Sequence, residues 1–297
     1  MCPIFIVMEF LEKEKEHFID LWNSRKSSGM SHTKEAWDKR SSGWVSSLNE
    51  EKNVAERSER RVRETAEFLR SRGVLQSSDT VIDIGCGPGR FAAEFARTSG
   101  MVYGIDISPQ MCCYGAEHAL SLGLDNVKFL PCDFQKTDID EMGWRDRFDL
   151  VFSSITPAMS SYESLRKSEN MSRKYCFQSN YTKVTDSLCD EVLTEVLPPE
   201  FRPTPREIRS FYVLFNILLL EGKCPETRYY ADIDDHKFYV DDAFVEKTFR
   251  FAPKAPKEQY FEKVRDAILR RADSEGFVEV HREWHYGWIL WDVRNGR

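Results

Sequence analysis

From Glu9 to Arg25 the apolar residues Phe10, Leu11, Phe18, Leu21 and Trp22 recur at mainly helical spacing among charges, which predicts an amphipathic helix. A loop rich in Ser and Gly follows at Lys26 to Met30, then helices over Thr33 to about Arg40 and about Ala55 to Arg72, the last stopped by Gly73. Beyond residue 79 the pattern changes. Apolar runs at 80–84, 101–105, 127–130, 148–153 and 174–179 read as strands, separated by helical patterns at 89–98, 109–122 and 160–172. Strand and helix alternating in this way predict a parallel sheet covered by helices, and continuous apolar runs suit strands buried on both faces.

Residues 190–257 break the alternation: Pro198, Pro199, Pro203 and Pro205 precede an apolar helix from Ile208 to Leu220, a strand near Arg228 to Asp232 and a short helix near Asp241 to Phe249. At the carboxyl end a helix over 258–274 leads through Gly276 into Val278–His281, and a last strand at 286–293 is expected to pair back on it as an antiparallel hairpin.

The first strand ends in Val81-Ile82-Asp83-Ile84-Gly85-Cys86-Gly87-Pro88-Gly89. Glycine lacks a Cβ, so this spacing allows a tight turn and a close approach of backbone to ligand. Asp106 closes the second apolar run roughly 20 residues later, where folds of this kind hold a ribose. The register departs from the dinucleotide fingerprint, because the third glycine position falls on Arg90. The loop therefore points to a nucleoside cofactor other than NAD.

Composition narrows the partners. With 42 Lys and Arg against 49 Asp and Glu the net charge is −7, which argues against a nucleic-acid partner. Basic residues at 57–72 and 265–271 are mixed with acids on helices and read as solvated faces. The eight cysteines show neither disulfide nor zinc spacing, which fits a cytoplasmic protein with no metal. No run is long enough for a membrane span.

Asp83 with the glycines, Asp106, and Ser108-Pro109-Gln110-Met111 after it resemble the motifs of class I S-adenosylmethionine (AdoMet)-dependent methyltransferases over roughly 79–180 and 258–293. The resemblance implies an α/β, Rossmann-like, seven-stranded and mostly parallel sheet with helices on both faces. It also implies an N-terminal helical lid (1–76), an AdoMet-binding core (77–189), an acceptor-binding insertion after strand 5 (190–257) and a closing helix and hairpin (258–297). By resemblance, Gly85, Cys86, Gly87 and Gly89 approach AdoMet, Asp83 orders its methionine end and Asp106 with Ile107 and Met111 holds the ribose. Asp133 reads the adenine amino group beside Phe134, and Ser153 ends the fourth strand near the cofactor.

Methyl transfer asks mainly for positioning and exclusion of water. His281 and His285 are candidate bases, although strand-end histidines with surface hydrogen bonds are the plainer reading. Trp37 and Trp44 in the N-terminal segment, Thr156 after the fourth strand and Tyr212 in the insertion are candidate acceptor contacts, or simply packing. The fourth strand ends in Ser153-Ser154-Ile155-Thr156-Pro157, which lacks the Asn/Asp-Pro-Pro-Tyr of amino-methylating nucleic-acid enzymes. Pro131-Cys132 follows the third strand, whereas the nucleophilic Pro-Cys of cytosine C5 enzymes follows the fourth. The expectation is direct methyl transfer to a small-molecule acceptor. An RNA or protein methyltransferase and a catalytically silent AdoMet-binding protein remain as alternatives, and oligomeric state is open.

Overall fold

A computed structural model describes residues 3–24, 32–50, 52–203 and 210–295. The loop expected at Lys26 to Met30 and the start of the helix expected at Ile208 lie outside the described residues. Three helices, α1 (Pro3–Asn23), α2 (Lys34–Glu50) and α3 (Lys52–Arg70), precede β1 (Thr80–Ile84). Then α4 (Arg90–Ala96), β2 (Met101–Asp106), α5 (Pro109–Ser121), β3 (Val127–Pro131), β4 (Phe148–Ser154), α6 (Tyr162–Met171) and β5 (Ser172–Asp186) follow in turn. The chain continues through α7 (Ser187–Val196), α8 (Ser210–Leu220), β6 (Glu226–Tyr239), α9 (Asp242–Thr248), α10 (Lys257–Leu269) and β7 (Phe277–Asp292).

The strands form one seven-stranded sheet in the order β3-β2-β1-β4-β5-β7-β6. The first five are parallel. On β7, Val293 N–H reaches Lys174 O at 2.9 Å and Glu283 meets Lys183 at 2.6 Å, so β7 runs against β5. In the same way Trp288 lies under Arg228 while Glu279 meets Lys237, so β6 runs against β7. The result is a mostly parallel, Rossmann-like sheet.

Two expectations about the carboxyl half need correction. The closing hairpin over 278–293 is instead the single strand β7. Its supposed turn, Arg282-Glu283-Trp284-His285, offers no residue suited to a tight turn, and cross-strand partners hold it in the ladder: Arg282 meets Asp186 and Glu283 meets Lys183. The seventh strand is β6, drawn from the stretch read as insertion. Also, β5 is longer than expected, because past Asn180 it continues as the partner of β7.

Contacts divide the chain into one unit of residues 1–180, 210–228 and 287–297 and another of 181–209 and 229–286. The first unit has a core in which Ile82, Ile84, Val151 and Cys176 of the sheet pack with Trp22 of α1 and Leu214, Ile217 and Leu218 of α8. On the opposite face, Phe152 stacks on Phe177 at 4.9 Å, flanked by Phe91 and Phe95 of α4 and Phe68 of α3. The second unit has its own core, built by Leu188, Val192 and Leu193 of α7, Val245 of α9, Val264 and Ile268 of α10 and Val278 and Val280 of β7. No helix among the described residues is long and apolar enough to cross a membrane.

Candidate functional site

The glycine loop leaves the carboxyl end of β1, and Gly85 and Cys86 N–H both donate to Ile105 O of β2 at 2.8 and 3.0 Å. These bonds hold the turn against the next strand. The glycines serve different purposes. Gly87 has φ +53° and nothing within 4 Å of where a Cβ would stand, so its backbone faces open space. Gly89 (φ +75°), Gly104 and Gly115 together make room for the ring of Phe129, which a Cβ on any of them would meet at 2.6–2.7 Å. Gly89 is thus needed for packing as well as for the turn. Thr156 lies directly over Gly85, where a side chain would collide with it.

Asp106 ends β2 with one oxygen accepting from Gly87 N–H at 3.0 Å and the other from Ser108 N–H at 2.9 Å. Burial raises its pKa while those two N–H donors hold it back, and neighbouring Asp38 adds to the rise. Asp83, on the adjacent strand, is 2% exposed, and its Oδ2 has no hydrogen-bond partner. Burial first, and Asp106 second, push its pKa up to about 8. Carboxyls so displaced in one place cluster at functional sites. The Cys86 thiol donates to Gly87 O at 3.5 Å.

Ser108 caps α5 by accepting from Met111 N–H at 3.2 Å and donates its hydroxyl to Asp38 of α2. One neighbour of the candidate ribose carboxylate, Ser108, is thereby tied to α2. Ser108 belongs to the motif that follows Asp106, whereas Asp38 was not singled out; its one signal was its place between two tryptophans. Trp37 stacks with His32 at 5.9 Å and carries Arg40 at 5.1 Å from its ring. Trp44 lies on α2 with its side chain outside the described residues. Ile107 is half-buried between Asp106 and the α5 cap.

Past β3, Asp133 begins a turn, pairs with Lys136 at 2.9 Å and is partly open to solvent. Phe134 beside it is buried in the core under Lys167, whose ammonium donates to Phe134 O, Gln135 O and Thr137 O. At the end of β4, Ser153 is buried and donates to Phe177 O at 3.4 Å. Thr156 caps a short 3-10 turn at Pro157–Met159 by accepting from Ala158 N–H. Elsewhere in the first unit, Tyr212 is exposed and meets Phe18 edge-on at 5.6 Å, away from the glycine loop in sequence and element.

The histidines belong to the second unit. His281 bonds Asp235 at 2.6 Å and Glu283 at 3.2 Å, and His285 bonds Glu283 at 2.8 Å. Those carboxylates raise the His281 pKa. Glu283, receiving Lys183 and both imidazoles, is held down at about 2. This is an ion-pair cluster on the strand surface, with the glycine loop and Asp106 in the other unit. No group of His, Cys, Asp and Glu among the described residues is arranged to hold a metal.

Residues 75–196 match the family model of a methyltransferase domain. That stretch of the chain is similar to a methyltransferase domain. Over 34% of its length it is 30% identical to a 23S rRNA (uracil(1939)-C(5))-methyltransferase RlmD of Shewanella sediminis, covering 22% of that protein. Over 25% of its length it is 34% identical to a ubiquinone biosynthesis O-methyltransferase of Rhodopseudomonas palustris, covering 26% of it. The chain thus spans about a quarter or less of these curated relatives. A solved magnesium protoporphyrin IX methyltransferase from Synechocystis aligns with TM-score 0.45 and 14% identity, covering 95% of this chain and 98% of that one.

Proposed function

We propose that the protein is an AdoMet-dependent methyltransferase acting on a small-molecule acceptor by direct displacement. The observation that carries the cofactor reading is the pair of carboxyls at the ends of β1 and β2, Asp83 buried and Asp106 half-buried, with Asp106 bridging the loop through Gly87 and an unpartnered Asp83 oxygen beside it. The fit is good on three counts. Gly87 leaves the approach open, Asp106 keeps free lone pairs for two vicinal hydroxyls, and the orphaned Asp83 oxygen suits an ammonium group. In this reading Asp133 accepts from the adenine amino group, with Phe134 supporting that turn from beneath.

When bound, AdoMet supplies an activated methyl group and departs as a neutral thioether. The chain's own contribution is to orient, to exclude water and to hold an acceptor in line. The bond from Asp38 to Ser108 ties α2 to that site and gives the N-terminal helices the part of a cover. His281 and His285, engaged with Glu283 and Asp235, have no part in the chemistry as read here.

A small acceptor is supported by the net charge of −7. RNA is the second reading, favoured by the likeness of one segment to rRNA methyltransferases. Against a covalent role for Cys132 stands its thiol, bonded to Thr137 Oγ1 at 3.0 Å and raised in pKa by burial. Calorimetry with AdoMet tests the cofactor reading: Asp106→Ala is expected to weaken binding at least tenfold, about the worth of one or two charge-assisted hydrogen bonds. Unchanged affinity in that variant sinks the assignment.

A further inference from the structure

At the carboxyl ends of β4 and β5 a group of buried polar atoms has no hydrogen-bond partner: Ser154 Oγ, Gln178 Oε1, Ser179 Oγ and Asn180 Nδ2. Gln178 and Ser179 are 3% and 2% exposed. Register places Ser153 beside Gln178 and Ser154 beside Ser179. Because side chains alternate along a strand, the hydroxyls of Ser154 and Ser179 share the face of Phe152 and Phe177, and the amides of Gln178 and Asn180 share the other. One strand over, Asp83 is in register with Phe152 and carries its own unpartnered oxygen on the same face as the two hydroxyls.

The backbone beyond is strained. Ile155, which is β-branched, stands at φ +51° and is held there by its N–H bond to Ser179 O at 3.0 Å. Buried polar atoms without partners and left-handed β-branched residues both destabilise a free protein, and both gather where a ligand completes the site. Here they coincide on two adjacent strand ends, next to the proposed cofactor carboxyl.

We infer that this edge recognises the acceptor, and that it takes an uncharged group with both hydrogen-bond donors and acceptors, such as a hydroxyl or amide function. The inference rests on the methyltransferase reading. On one face two hydroxyls, and on the other an amide oxygen and an amide NH2, can both give and accept bonds. Among the described residues no cation bonds to any of them, so nothing there offsets the charge of a phosphate or carboxylate. The polar face of a neutral metabolite fits that set. A phosphorylated one does not.

Two variants test it, Ser179→Ala and Gln178→Met, each removing an orphaned atom at nearly constant volume. The free full-length variants are expected to melt at or above the temperature of the parent, since an apolar replacement relieves the unpaired burial. Both are expected to bind AdoMet within about twofold of the parent by calorimetry and to lose about tenfold or more of methyl transfer. Transfer is read with methyl-labelled AdoMet and a cell extract, cleared of the cationic AdoMet on a cation exchanger and then split on an anion exchanger, with label expected in the neutral flow-through. Clear falls in melting temperature for both variants would mean that the atoms are bonded within the free protein, and would overturn the inference. So would label confined to the retained fraction of phosphorylated metabolites and RNA. Failure of the parent to bind AdoMet overturns the underlying methyltransferase reading, and that result is separate from either of these.

Discussion

Replacing Asp83 by Asn isolates the cost of burying a carboxyl without a counter-charge. Burial pushes its pKa from 3.8 up to about 8, and no side-chain or backbone donor bonds its Oδ2. Folded chains therefore keep this proton to about pH 8, while unfolded chains release it near 3.8. The folded state has its full advantage below the unfolded value and loses it progressively as pH rises towards the folded one. Each pH unit in that window costs about 1.4 kcal/mol, or ~4 kcal/mol by pH 7. Asn is neutral throughout, so Asp83→Asn escapes this loss, less ~1–3 kcal/mol for its own unpaired amide. Thermal melts of parent and variant from pH 5 to 9, without ligand, read the difference. For a unit of this size it should widen in favour of the variant by roughly 3–5 °C per pH unit and level off above pH 8. Parallel curves would refute the reasoning, because they would mean that Asp83 ionises as readily inside as out.

Two further perturbations probe the frame that holds the site. Lys223 (7% exposed) is paired with Glu169 (5% exposed), which also accepts from Trp291 Nε1 at 2.8 Å, and Glu169→Gln leaves that ammonium with the longer pairing to Glu221 at 3.4 Å; urea melts should show a loss of ~1–3 kcal/mol. Gly104→Ala puts a methyl 2.7 Å from the Phe129 ring and 3.0 Å from Cys86 Sγ, and should cost ~1–3 kcal/mol. Phe129→Leu in the same chain should recover part of that loss in a double-mutant cycle; strict additivity would count against the packing account.

The legible parts were those governed by local rules. Apolar runs placed β1 to β4 within a residue or so, because fully buried strands leave continuous hydrophobic stretches. Asp83, Gly87 and Asp106 were legible because a glycine turn after a strand has few other uses. The carboxyl-terminal strand was harder. Its charged middle, Arg282 to His285, reads as a break in an apolar pattern, yet the breaks are cross-strand ion pairs whose partners lie roughly 100 residues away. The bond between Asp38 and Ser108 escaped for a similar reason, the two being 70 residues apart and joined by packing α2 on α5.

The sequence by itself determined the glycine loop after β1 and the alternation of strand and helix, since each depends on neighbours within about one turn or one strand. Only the tertiary structure decided which groups are left without partners. Ser154, Gln178, Ser179 and Asp83 are ordinary polar residues along the chain, and satisfaction of a hydrogen bond is a property of the space around an atom. That space is set by which strands lie side by side, a choice of order and register that local sequence does not encode.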